Sequence, residues 1–176
     1  MQRIFLIGYM GVGKTTLGSP LAKALGFSFI DLDHFIENRY HKTVQEIFKQ
    51  YGEAYFRRVE QKILKEVCTF EKVVIATGGG APCFYDNMEE MNRSGLTILL
   101  EVSLPELYER LKLGKNKRPI LRDKNEAELL EFIKASIQER AVFYNQSRLR
   151  FNVDDLYSVE AINKVVREIV DAINIL

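Results

Sequence analysis

The sequence predicts an α/β fold built on a five-stranded parallel sheet with helices on both faces. Three observations point to it: five short apolar runs, helix-length stretches between them, and unusual polar chemistry directly after three of the runs. The runs are Ile4–Ile7, Phe27–Ile30, Val73–Ala76, Leu96–Leu100 and Leu149–Val153, each of strand length. Between them lie helix-start signals, among them Thr43…Glu46 and Ser103…Glu106, which read as capping boxes. Strands alternating with helices favour parallel pairing through right-handed crossovers, and ligand crevices then open at the carboxyl ends of the strands. Those ends carry Gly8–Thr15, then Asp31 and Asp33, then Gly78–Gly80. The three groups are expected to converge.

Composition narrows the class. A chain of 176 residues suits one domain over 1–176, able to withdraw roughly two-thirds of its unfolded surface from water. Its 47% hydrophobic and 28% charged residues are ordinary for a globular protein and give no case for disorder. With a formal charge of +1, the overall field offers no reason to expect nucleic acid as a partner. Cys68 and Cys83 form no metal-binding or disulfide spacing and read as buried or incidental thiols. The apolar stretch Ile4–Ile7 is too short for a signal peptide and no run reaches membrane-spanning length, so a cytoplasmic enzyme without membrane contact is expected; a monomer is expected as well, on no feature of the sequence.

Gly8-Tyr9-Met10-Gly11-Val12-Gly13-Lys14-Thr15 fits the pattern G-x-x-x-x-G-K-[ST] and lies between an apolar strand and a helix beginning near Lys14. Glycines let successive amides point inward at phosphate oxygens, beside a helix terminus of partial positive charge. Lys14 would reach the β- and γ-phosphates. The Thr15 hydroxyl would ligate Mg²⁺, which borrows few protein ligands. A glycine-rich turn without nucleotide is the plainer reading. Pro20 deletes a ladder donor inside the following helix and predicts a local bend.

The loop alone leaves kinase, GTPase and ATPase open, but no N-K-x-D segment is present, and Thr77-Gly78-Gly79-Gly80 stands where a GTPase would place Asp-x-x-Gly. Asp31 and Asp33 are two apart, so in extended backbone both carboxylates point to one side. One can orient water on Mg²⁺ while the other accepts the proton of an attacking hydroxyl. The alternative is a pair of helix-capping carboxylates.

Two arginines stand out. Arg57 borders the helical stripe Phe56, Val59, Ile63 and Val67, with Glu53 and Glu60 in ion-pair reach. It reads either as part of a solvated network or as a guanidinium held for a substrate carboxylate. Arg140 falls on the inward stripe Ile133, Ile137, Arg140 and Tyr144, where an arginine requires an anionic partner, either structural or substrate. Between Lys112 and Lys124, six basic residues accompany one acid, Asp123. That segment reads as a mobile lid over the polyphosphate, or as a solvated loop.

Taken together, these segments resemble the shikimate kinases. The matching motifs are G-x-M-G-x-G-K-[ST]-T-x-G at Gly8–Gly18, F-x-D-x-D-x-x-I-E at Phe29–Glu37, G-E-x-x-F-R-x-x-E at Gly52–Glu60, the triplet Gly78–Gly80, R-P at Arg118–Pro119 and E-R-x-x-x-Y at Glu139–Tyr144. The likeness spans nearly the whole chain. It implies a three-layer P-loop kinase fold with strand order 2-3-1-4-5, a substrate-binding helical segment at about 32–60 and a lid at about 112–124. The implied reaction carries the γ-phosphoryl of ATP to the 3-hydroxyl of shikimate, with Mg²⁺, on the way to chorismate and the aromatic amino acids. Gly11, Val12, Gly13, Lys14, Thr15 and Thr16 are then ATP contacts, and Arg110 and the segment Val153–Asp155 border adenine. Lys14 and Arg118 stabilise the transferring phosphoryl, Thr15 and, through water, Asp31 serve the metal, and Asp33 is the base. Arg57 and Arg140 hold the acceptor carboxylate beside the Gly79 amide. Ser19-Pro20 departs from the family, which often has a basic residue there. Other readings are a gluconate kinase or similar small-metabolite kinase, and an ATP-binding regulatory protein without turnover.

Overall fold

A computed structural model of the chain describes residues 3–114, 121 and 124–175. Its elements run β1 (Arg3–Ile7), α1 (Lys14–Leu25), β2 (Ser28–Asp31), α2 (Leu32–Tyr40), α3 (Val44–Tyr51), α4 (Glu53–Val67) and β3 (Val73–Ala76). A 3₁₀ turn (Ala81–Cys83) follows, then α5 (Asn87–Ser94), β4 (Leu96–Glu101), α6 (Leu104–Leu113), α7 (Glu126–Tyr144), β5 (Leu149–Asn152) and α8 (Val159–Ile175). The five strands form one sheet in the order β2-β3-β1-β4-β5, and every pairing is parallel. The apolar runs located these strands to within a residue or so at each end.

Burial explains the order. The described residues of β3 are wholly buried, as are all but one of β1 and all but the last of β4, so these strands need cover on both faces and occupy the centre. β2 and β5 are only partly buried and sit at the edges. The parallel register sets Asp31, Ala76, Leu6, Ile98 and Leu149 in one row across the sheet. The segments that follow β1, β2 and β3 therefore leave the sheet at one level. α1 packs on β2, β3 and α8, while α2, α3 and α4 pack on one another beyond the β2 edge. At Gly18 a Cβ would lie 2.2 Å from the Phe29 ring, so its absence lets α1 lie close on β2 and brings Thr15 towards Asp31.

Local signals held to different degrees. Thr43 and Glu46 form the expected reciprocal capping box. Ser103 does not: its side chain makes no cap bond, because Glu106 is drawn to Arg110 Nε at 2.6 Å and to the Tyr157 hydroxyl. The Ser103 amide donates instead to Asp154 Oδ1 at 2.6 Å. An unanticipated capping box, Asn125 with Glu128, starts α7. α1 runs unbroken through Pro20. The expectation that backbone stays extended from Asp31 to Asp33 is corrected: the chain turns into α2 at Leu32, with Asp31 as its N-cap and Asp33 in its first turn.

Candidate active site

The phosphate-binding loop is assembled mostly from main chain. Gly13 precedes α1 with φ 104°, a left-handed conformation unfavourable for residues bearing a Cβ. No side chain caps the helix and its first turn holds no acid, so its leading amides and partial positive charge remain available to an anion. Lys14 is 8% exposed. Its ammonium donates to the carbonyls of Gly8 at 2.7 Å and Tyr9 at 2.9 Å, which holds the charge inside the loop.

Thr15 Oγ1 donates to Asp31 Oδ2 at 2.7 Å, and the other oxygen of Asp31 accepts the His34 amide at 3.3 Å. Asp31 thus serves both readings offered by the sequence, capping α2 and standing beside the threonine. Asp33 faces the same space. Burial, then the neighbouring charge of Asp31, raise its pKa above the usual carboxylate range, partly offset by Lys14 and Arg57.

Opposite the loop, three side chains gather around Gly78–Gly80. A Cβ on Gly78 would lie 2.9 Å from Asp33 Oδ1; one on Gly79, 3.5 Å from Arg140 Nη1; one on Gly80, 2.7 Å from Arg57 Nη2. Three successive glycines therefore each receive one of three side chains delivered by α2, α7 and α4. The two guanidiniums differ in surroundings. Arg57 is 12% exposed and pairs with Glu60 at 2.8 Å and Glu53 at 3.0 Å, its plane 4.1 Å from the centre of the Phe84 ring. The Arg57–Glu60 half of this network is withdrawn from water, whereas Glu53 stays exposed. Arg140 lies 4.9 Å over the ring of Tyr9, and among the described residues no carboxylate is in ion-pair distance of it.

Arg110 joins the loop to the segment after β5. It donates to the carbonyls of Val12 at 3.3 Å, Val153 at 2.9 Å and Asp154 at 2.5 Å. Thr16 lies exposed in the first turn of α1. Arg118, and with it most of the basic segment expected as a lid, lies outside the described residues. Within that stretch, Lys112 pairs with Glu126 at 2.6 Å and Lys124 lies 4.6 Å from the Phe132 ring centre.

The sequence model of the family described as shikimate kinase matches residues 10–174. A shikimate kinase from Bacteroides thetaiotaomicron is 56% identical over 156 residues, covering 89% of each protein. The chain belongs to the shikimate kinase family. A crystal structure of a shikimate kinase from Bacteroides thetaiotaomicron superposes with a TM-score of 0.94 at 51% identity, covering 98% of both chains. A shikimate kinase from Acinetobacter baumannii in complex with shikimate gives 0.84 at 31% identity, covering 98% of this chain and 93% of that one. The activity is phosphorylation of shikimate with ATP. Of the readings weighed from the sequence, this one is supported over gluconate phosphorylation or regulatory ATP binding.

For a shikimate kinase, the sequence reading left out four residues that crowd the acceptor side. Glu60 is wholly buried, and its Oε1 has no hydrogen-bond partner. Burial pushes its carboxyl up to about 7 despite the adjoining Arg57. Its signal was available, since Phe56, Glu60, Ile63 and Val67 recur at helical spacing, the pattern that marked Arg140. Tyr144 and Tyr9 had weaker signals, as aromatics on an inward stripe and inside the loop. Cys83 is half-buried and lies near Arg140, Arg57 and Glu60, with its thiol pushed up by burial; Cys68 is a buried free thiol as expected. No signal in the sequence distinguished the two.

Proposed function

We propose that this chain transfers the γ-phosphoryl of ATP to the 3-hydroxyl of shikimate through the following division of roles. Asp33 accepts the hydroxyl proton as the oxygen attacks the γ-phosphorus and the bond to the β–γ bridging oxygen breaks. Burial, then the charge of Asp31, raise its pKa, which makes it a stronger proton acceptor than a solvated aspartate. Arg57 and Arg140 grip the shikimate carboxylate, assisted by the Gly79 amide. Lys14, with the amides of Gly11, Val12, Gly13, Thr15 and Thr16, holds the polyphosphate and the charge left on ADP. Arg118 is assigned to the transferring phosphoryl and Arg110 with Val153–Asp155 to the adenine side, both on resemblance.

The oxygen donors Thr15 and Asp31, 2.7 Å apart, suit a hard cation that retains most of its waters, and no group of three or more His, Cys, Asp or Glu able to hold a metal occurs among the described residues. Thr15 would hold Mg²⁺ directly and Asp31 through water. When bound, the ion would supply positive charge that offsets the charge of the polyphosphate. The helices between 32 and 60 are read as the acceptor-binding segment and the chain as a cytoplasmic monomer. No helix among the described residues is long and apolar enough to cross a membrane.

One observation carries the reading: Asp33, Arg140 and Arg57 stand against Gly78, Gly79 and Gly80 in turn. A base and two cations thereby border one small space. ADP release coupled to NADH oxidation tests it. Turnover is expected with shikimate and Mg-ATP, little with gluconate, and none after chelation of Mg²⁺. Folded protein that releases no ADP with shikimate overturns the assignment.

A further inference from the structure

A glycine triplet admits three side chains because it lacks Cβ atoms, and for the same reason its backbone is unusually free to move. Something must hold it. The Gly78 carbonyl accepts the Ala81 amide at 3.1 Å and the Gly80 carbonyl accepts the Cys83 amide at 2.9 Å, both within the 3₁₀ turn that follows. The Gly79 carbonyl has a different partner: the Tyr144 hydroxyl donates to it at 2.6 Å across 65 residues of sequence. Tyr144 is 5% exposed and lies four residues after Arg140, on the same face of α7. The Arg140 guanidinium is near enough to act electrostatically on this hydroxyl. Burial raises the phenol pKa far above the usual range, so the group remains a donor at any working pH.

We infer that Tyr144 is a positioning residue for the acceptor clamp, its hydroxyl holding the Gly79 carbonyl beside the Arg140 side chain so that the Gly79 amide and the Arg140 guanidinium meet the same carboxylate. The inference rests on the acceptor-site reading above. A tyrosine oxygen that donates once retains acceptor capacity, so the same hydroxyl that bonds Gly79 can also face the Arg140 guanidinium. The Tyr9 ring supports the other side of Arg140. Gly79 itself is close to the phosphate loop, a Cβ there falling 3.1 Å from the Met10 amide nitrogen and 3.5 Å from the Gly8 carbonyl oxygen. Displacement of Gly79 would therefore misplace Arg140 relative to the donor phosphates.

Tyr144→Phe keeps the ring and removes only the hydroxyl. Steady-state kinetics are expected to show the KM for shikimate raised about tenfold, the loss of roughly one hydrogen bond, with kcat and the KM for ATP within about twofold. Combined with Arg140→Lys, the two effects should be less than additive, because the hydroxyl acts through that arginine. A lowered melting temperature with an unchanged KM for shikimate overturns the inference, as does strict additivity. If the variant melts near the assay temperature, the same split is read well below its melting point. Arg140→Ala separates the levels: an unchanged KM for shikimate in that variant strikes the acceptor-site reading itself, whereas a raised one with normal Tyr144→Phe kinetics strikes only the role given to Tyr144.

Discussion

The phosphate loop and the acceptor pocket face each other across the ends of β1 and β3, yet they are made differently. The loop is one continuous stretch, Gly8–Thr15, and what it presents is uncapped main-chain amides and the ammonium of Lys14. The pocket draws Asp33 from α2, Arg57 and Glu60 from α4, Arg140 and Tyr144 from α7, and closes them over a turn after β3. A site made of adjacent amides tolerates change in side chains that merely flank it. One made from four distant elements depends on each side chain and on whatever holds it, so it should be the more fragile of the two.

The largest expected departure between the two regions comes from Asp33→Asn. It should lower kcat by about 10² to 10⁴-fold, the usual worth of a positioned general base, while ADP affinity by calorimetry stays within a few-fold. Parallel loss of nucleotide affinity would break the separation of the two sides.

Glu60→Gln gives a smaller effect with a pH signature. A carboxyl held at about 7 in the folded protein and near its ordinary value when unfolded keeps its proton longer in the folded state. Its favourable contribution is complete below the unfolded value and lost as pH rises towards 7. The neutral glutamine escapes that loss, so the melting temperature of Glu60→Gln relative to the parent should climb between pH 5 and pH 8, by an amount equivalent to a few kcal/mol at most. A flat difference would refute a protonated Glu60. The KM for shikimate should rise several-fold at the same time, because the glutamine oxygen can still accept from Arg57 but no longer supplies a negative charge beside it.

The smallest change is expected at Tyr9→Phe, where the two regions touch. The Tyr9 hydroxyl is buried without a partner, so its removal should leave stability unchanged or raise it by up to about 1 kcal/mol in denaturant unfolding. A clear loss of stability would mean that the hydroxyl is bonded after all.

These contrasts track what could be read before any fold was known. Strand positions were legible from apolar runs, and the loop from eight contiguous residues, because both depend on local chemistry. Arg140 was legible from its place on an apolar stripe. Glu60 obeyed the same pattern but was hidden by its spacing from Arg57, which made a surface ion pair the simpler reading. The paired carboxylates were legible as a pair, but not the turn into α2 that begins between them in place of extended backbone. The box expected at Ser103 failed because Arg110 and Tyr157, from elsewhere in the fold, compete for Glu106.

By itself, then, the chain's sequence determined the alternation of strands and helices, the phosphate cradle and the residue types required for phosphoryl transfer, all through interactions between neighbours along the backbone. Only the tertiary structure decided that Asp33, Arg140 and Arg57 meet three consecutive glycines, that the Tyr144 hydroxyl bonds the middle one, and that burial raises the Glu60 carboxyl to about 7. Those outcomes depend on burial and on contacts across tens of residues, and both quantities exist only once the elements have packed.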